Sequence, residues 1–367
     1  MIVYYLIPTL LIFSYLISLR NNRIYDLFFS LIVISALIVF VGFRFNSDRD
    51  YNDYHLMFTS VPMLDDFSYD NIKHMHGEIG YLFINSLIKS VGFDFYVVTL
   101  LFSFLSLFTK YCFFRSYLTC GSLALFLYLS LSFINIEFIT IRWAASCGFI
   151  CVGIHYLIQE KKRLFILSFL LASIFHYYSI VFFILAVLSR IKIRNWMYFS
   201  AFFVVVMLVF WVDISKFIEM LTSVNSSNVL VFRLIRYMTS DDFHVPIGML
   251  SKLKLIYYVL IVYSFYILER RLFYVPIVNK LFSIMMLIGI FSVVMLYFPI
   301  FFFRSVVMFD ILSIILILIL FQHSKKLGKK AHIYKFVFVF SLLIWCVLDI
   351  GIKYKSGVIM DYTSSIV

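Results

Sequence analysis

Ten apolar runs dominate this sequence, each close to the ~20 residues that carry a helix across a bilayer: 2–19, 27–43, 95–114, 118–136, 138–158, 195–212, 250–268, 280–300, 304–322 and 333–350. Segment 80–91 is too short to cross comfortably. Segment 164–188 is long enough but polar at its middle. Only two polar stretches are long, 44–79 and 213–249, and no soluble domain, internal repeat or low-complexity segment stands out. A chain of this kind must satisfy its backbone hydrogen bonds internally wherever it meets lipid, which leaves helices or a closed barrel. Runs of this length choose helices. The sequence therefore reads as one transmembrane domain over 1–367, an all-α polytopic integral membrane protein. We expect a bundle of about 10–12 transmembrane helices, with short re-entrant or broken helices and a periplasm-facing cavity covered by external loops 44–79 and 213–249.

Composition excludes the soluble alternative. Hydrophobic residues make up 63% and charged residues 14%, against roughly 45–50% apolar and about 25% charged in soluble proteins. The five cysteines do not form a disulfide framework. Cys147 and Cys151 share a helix face at i, i+4, but no His or further Cys stands beside them, so they read as small packing residues and not as a metal site. Residues 2–19 lack a basic leader and a small-residue cleavage site, and read as a retained span.

Lys and Arg in the short loops set the orientation. Arg20 and Arg23 place the end of the first span inside, so the N-terminus lies outside and 44–79 is external. Segment 95–114 runs inward to Lys110 and Arg115, and 138–158 returns to Lys161, Lys162 and Arg163. Both ends of 164–188 are basic. A broken hairpin with its tip near His176-Tyr177-Tyr178-Ser179 keeps both clusters inside, whereas a simple crossing would strand one. This threading puts the C-terminal tail outside and most of the basic residues inside. The net charge of +12 then records membrane orientation and attraction to anionic inner-leaflet lipid. It is not a nucleic-acid signal, since no basic stripe lies on a soluble module.

Ionisable groups in or beside lipid face a cavity or a partner. Five clusters fit that description, most of them near the outer side. In Phe43–Tyr54, Arg49 and Asp53 suit a solvated loop, but Arg44 sits at the span edge between two phenylalanines. Asp48, Asp50 and Tyr51 follow it as acidic or sugar-binding candidates. In His76–Tyr81, Glu78 either opens the short helix 80–91, favoured by the helix dipole, or acts as a buried carboxylate orienting a base or a sugar hydroxyl. Arg142 lies in the outer turn of 138–158 with Glu137 as one candidate partner. It either snorkels to the interface or grips a phosphate, which a guanidinium does bidentately without losing its charge. His176 falls mid-segment in an apolar stretch, as a structural histidine or as a general base or phosphate donor. Arg304 precedes Asp310 by six residues: Arg304 is a second phosphate-ligand candidate and Asp310 an acidic or sugar-binding one, or the two form a structural ion pair, or a neighbouring helix satisfies Asp310. Arg233 and Arg236 are weaker candidates of the same type. No P-loop, HExxH, GxSxG or CxxC element is present, so nucleotide hydrolysis, zinc proteolysis and serine hydrolysis have no support.

Several arginines and a histidine on one membrane face suit an anionic group held at the lipid surface. At these residues the chain resembles the EpsG family, a branch of the Wzy-type O-antigen and exopolysaccharide polymerases. The resemblance runs in order through Arg44 with Asp50-Tyr51 and Tyr54, Glu78-Ile79-Gly80-Tyr81, Ile141-Arg142 with Ala145, Ala172 to His176 with Ser179, and Phe303-Arg304. Trp143 stands where glutamine is common in the family. The resemblance implies a polymerase of lipid-linked repeat units in the bacterial inner membrane. Such an enzyme moves a growing glycan from undecaprenyl diphosphate onto a new undecaprenyl-diphosphate-linked repeat at the periplasmic face, with no cofactor and no metal, and its pathway includes a chain-length regulator. On that reading Arg44, Arg142 and Arg304 bind diphosphate, while His176 or Glu78 handles the acceptor proton and Arg142 supports catalysis. The alternatives are a polyprenyl-phosphate-sugar glycosyltransferase using Asp48 and Asp50 on a divalent metal, an O-antigen ligase, a flippase or transporter, and a non-catalytic scaffold of an export complex.

Overall fold

The computed structural model describes residues 2–19, 22–118, 120–191, 193–211, 256–264, 276–323 and 329–365. Loop 213–249, with Arg233 and Arg236, lies outside the described residues, as does all of the expected span 250–268 except 256–264. The described chain is almost wholly helical. In order come a 3-10 turn Ile2–Tyr5, α1 (Leu6–Leu19), α2 (Arg23–Gly42), β1 (Arg44–Phe45), α3 (Tyr51–Ser60), α4 (Tyr69–Ile72), α5 (Ile79–Ser90), α6 (Phe95–Tyr117) and α7 (Gly121–Leu131). A π-turn Ile134–Ile139 then leads to α8 (Ile141–Ile158), α9 (Lys162–Phe175), α10 (Ser179–Leu188) and α11 (Asn195–Trp211). The helix over 256–264 is α12. It is followed by α13 (Pro276–Val294), α14 (Pro299–His323), α15 (Lys329–Lys355) and β2 (Thr363–Ser364). Six helices among the described residues are long and apolar enough to cross a membrane, within α2, α6, α8, α13, α14 and α15. Large apolar side chains such as Phe13, Phe28 and Phe336 stand exposed, as a lipid-facing surface requires.

The chain divides into two compact units, Met1–Ile184 with Ile317–Val367, and Leu185–Leu316. In the first unit α6 and α8 run parallel. Ile141 and Ala145 pack with Phe102 near one end, and the Tyr117 hydroxyl meets His155 Nδ1 at 3.0 Å near the other. Between these points Gly148 lets the helices close. A Cβ there would sit 2.0 Å from Thr109 Oγ1. α9 runs back along α8, with Ser146 Oγ donating to the Ala172 carbonyl at 3.0 Å.

Two apolar runs that are continuous in sequence are broken in space. Run 118–136 becomes the 11-residue α7 followed by the π-turn, and Thr140 (φ −109°, ψ 64°) restarts the helix as α8. Segment 164–188 is two helices. His176 is extended (φ −158°, ψ 115°), and the chain doubles back so that Phe165 and Phe169 meet Phe183 at 5.3 and 5.5 Å. α5 has 12 residues, about 18 Å at 1.5 Å per residue, well short of a ~30 Å hydrocarbon core.

These breaks gather chain ends at one end of the unit. Tyr4 packs edge-on against Phe40 and Phe138. Thr99 Oγ1 donates to the Gly42 carbonyl at the close of α2. Tyr81 and Phe175 both pack on Phe102. The start of α5, the start of α8 and the finish of α9 therefore lie side by side. In the second unit α11 and α13 meet through Phe199 and Phe282 at 5.2 Å, and Tyr258 of α12 lies against Phe309 of α14 at 4.0 Å.

Candidate functional site

Because Thr140 restarts the helix, Arg142 falls in the first turn of α8. A cation there adds to the positive end of the helix dipole instead of cancelling it. The arrangement opposes stability and attracts anions. Glu78 stands at the N-cap position of α5 (φ −81°, ψ 150°) but makes no capping bond to its own helix. Its carboxylate turns to Arg142, whose Nη1 donates to Oε2 at 2.5 Å. The partner proposed from sequence, Glu137, is not the one the fold supplies.

The guanidinium is framed by two rings. Its Cζ lies 5.5 Å from the centroid of Tyr54 and 5.5 Å from that of Tyr81, within cation–π range. Its Nε has no hydrogen-bond partner. On the other side of the carboxylate, His176 Nδ1 lies 3.8 Å from Glu78 Oε1 and accepts the Tyr178 N–H at 3.2 Å. With Nδ1 so occupied, the neutral ring carries its proton on Nε2. Trp143 packs edge-on against His176, with ring centroids 5.2 Å apart.

Glycine makes the approach possible. Gly77 has φ +138°, and Gly80 lies so close to α9 that a Cβ would sit 2.0 Å from Ile174 Cγ2 and 2.9 Å from its carbonyl oxygen. Only a residue without Cβ lets α5 bring Glu78 to the end of α9. The cluster is buried but not sealed: Arg142, Glu78 and His176 keep 12%, 9% and 10% of their side chains exposed.

Arg44 is placed differently. Its Nε donates to Asp48 Oδ2 at 2.8 Å and its Nη1 to the Val41 carbonyl at 2.8 Å, with Phe138 under the guanidinium at 5.2 Å. Both side chains of the pair are 0% exposed. The other oxygen of Asp48 accepts the Asp50 N–H at 3.0 Å, which ties the turn to the start of α3. Burial pushes the Asp48 carboxyl up and Arg44 opposes that. Asp50 is pushed up the same way, against Arg49. Tyr51 is buried among Tyr54, Tyr81 and Phe95. Arg304 and Asp310 belong to the second unit. There Asp310 is fully buried and accepts from the Tyr258 hydroxyl at 3.3 Å, and Arg304 lies one turn into α14.

A third buried ion pair escapes sequence reasoning. Lys110, expected at the inner flank of its span, is 1% exposed in the interior. It donates to Glu137 Oε1 at 2.7 Å, to the Ala144 carbonyl at 2.9 Å and to Ser106 Oγ. The same carboxylate oxygen takes Ser106 Oγ at 2.9 Å and the Tyr128 hydroxyl. A lysine at the inward end of an apolar run is ordinarily solvated. The reason Lys110 is not lies 27 residues away in the π-turn. Among the described residues, no three His, Cys, Asp or Glu side chains group in a way that would hold a metal ion.

No curated protein and no solved structure matches this chain. The EpsG family model matches residues 27–364, which include Arg44, Glu78, Arg142, His176 and Arg304. With a match that runs nearly end to end, the chain belongs to the EpsG family, a family of Wzy-like polymerases.

Proposed function

We propose that this protein joins lipid-linked oligosaccharide repeats. It transfers the growing glycan from undecaprenyl diphosphate to the terminal sugar of a new undecaprenyl-diphosphate-linked unit, at the periplasmic face of the inner membrane. The observation that carries this reading is the Glu78–Arg142–His176 cluster: a guanidinium at a helix N-terminus, backed by a carboxylate, framed by aromatic rings and still partly accessible. Such a group holds a diphosphate and offsets the charge that develops as it leaves. The acceptor hydroxyl attacks the anomeric carbon, the bond to the diphosphate oxygen breaks, and the acceptor proton passes to Glu78. The Nε2–H of His176 donates to a substrate oxygen. Arg44, closed on Asp48, holds the loop that flanks the cluster.

The metal-dependent alternative needs Asp48 and Asp50 as ligands. The Asp48 carboxylate is already engaged by Arg44 and by the Asp50 amide, which weakens it, and insensitivity of turnover to EDTA would remove it. The deciding experiment is the banding of surface polysaccharide in a strain carrying Arg142→Ala at normal membrane abundance. Single-repeat glycolipid is expected. Free long polymer would point to a ligase, and a normal ladder would take Arg142 out of the site.

A further inference from the structure

Residues 357–365 are bound to the loop that carries Arg44. Gly357, at φ +70°, turns the chain out of α15. Ile359 then bridges Asp48, and β2 pairs antiparallel with β1, Thr363 opposite Phe45 and Ser364 opposite Arg44. The Met360 N–H donates to the Ser47 carbonyl at 2.8 Å and the Ser365 N–H to the Phe43 carbonyl at 2.9 Å. The Thr363 N–H donates to Ser47 Oγ at 3.1 Å, and Thr363 Oγ1 to the Phe45 carbonyl. Tyr362 lies flat on Phe40, centroids 4.7 Å apart at 9°, and its hydroxyl donates to the Phe40 carbonyl at 3.0 Å.

Two strands of two residues are marginal alone. Here the ribbon rests on the rings of Tyr4, Phe40 and Phe138. What it holds leads straight to the cluster. Ser47 precedes Asp48, Asp48 fixes both Arg44 and the first amides of α3, and one turn later Tyr54 presents its ring to Arg142.

We infer that segment 358–365 is a positioning strap for the site: it locks the Arg44–Asp48 turn and, through α3, sets the aromatic wall against Arg142. Its effect on turnover rests on the polymerase reading; its grip on the loop does not. Ser47 is fully buried beneath the strap, so a Ser47→Cys reporter in the full chain should resist a membrane-impermeant maleimide. Deletion of 359–367, or Tyr362→Ala with Thr363→Pro, should open it to labelling. On lipid-linked repeats the same variants, compared at equal membrane abundance, should lose tenfold or more in kcat with KM within twofold, and Tyr362→Phe should keep most of the turnover. Phe45→Cys with Thr363→Cys, oxidised to a disulfide, should turn over like wild type, because the strap stays closed through the cycle. Labelling unchanged by deletion would overturn the strap. So would opened Ser47→Cys with unchanged kcat, or loss of turnover on oxidation. If the wild-type chain joins no repeats, the polymerase reading fails and labelling alone still decides the strap's grip.

Discussion

Arg142–Glu78 and Lys110–Glu137 are both buried cation–carboxylate pairs, and both bear on the first turns of α8. They solve opposite problems. All three Lys110 protons are taken, by Ser106, Glu137 and the Ala144 carbonyl, and the pair is 1% and 0% exposed. Arg142 makes one charged bond, leaves Nε without a partner, and keeps 12% of its side chain accessible beside a histidine. A fully engaged cation fixes where a helix begins, even with Glu137 Oε2 left without a partner. A partly satisfied one holds interaction capacity in reserve for something that binds. Two charged pairs a few residues apart can thus be a fastener and a site, and how fully each cation is engaged separates them where burial alone does not.

The comparison breaks most visibly at Arg142. Arg142→Ala should lower chain growth by about 10²–10³-fold, the size seen when one preorganised charge donor is removed, with the protein still folded and abundant. Arg142→Lys should recover only part of that, since an ammonium cannot make the bidentate contact. Glycolipid banding and membrane abundance measured together check both. Full activity in the lysine variant would mean that bidentate geometry is irrelevant there.

Lys110 should respond in the other currency. Lys110→Met strands Glu137 in the interior, and breaking a buried pair this way destabilises by about 3–5 kcal/mol. The double variant Lys110→Met with Glu137→Leu should regain most of that loss, because replacing a buried pair with apolar groups is often neutral. Thermal unfolding in detergent, run as a double-mutant cycle, reads the coupling directly. No recovery in the double variant would show that the pair does more than fasten α8.

These two pairs also mark how far the sequence could be read. The spans were legible because long apolar runs have few other uses, and Arg142 was legible because an arginine inside such a run demands a reason. Its partner was not, since Glu78 lies 64 residues away and nothing in hydropathy pairs distant charges. Lys110 sits near the end of its run and looks like an ordinary inner flank, so its burial was invisible for the same reason. Run 118–136 hid the short α7 and the π-turn because every residue of α7 is buried, and a helix apolar all round carries no phase to show where it stops. The polar middle of 164–188, by contrast, gave away the break at His176. The tail 357–365 carried no signal beyond a glycine and a few β-branched residues, too short a pattern to predict pairing with a segment over 300 residues earlier.

His176 tests the site from the proton side. With Nδ1 taken by the Tyr178 amide, His176→Gln keeps a donor on the same side and should retain turnover within about tenfold, while His176→Ala should fall further, by about 10²-fold. A titrating histidine in the cycle would leave its mark as a limb of the pH–rate profile that both variants lack. Identical profiles in wild type and His176→Ala would discard the role.

The smallest expected effect comes from Arg49–Asp50, the exposed counterpart of both buried pairs, at 3.2 Å with side chains 59% and 32% accessible. Burial raises the Asp50 carboxyl while Arg49 pulls it down. A carboxyl raised on folding lends stability when protonated, fully so below its ordinary range near pH 3.9, and loses that contribution as pH climbs through the raised value. At neutral pH its charge therefore opposes folding slightly. Asp50→Asn should be neutral or stabilising by under about 1 kcal/mol at pH 7, and the advantage should vanish in acid. A clear loss of stability at pH 7 would instead place Asp50 with the fasteners, bound into the turn that Asp48 and the strap hold.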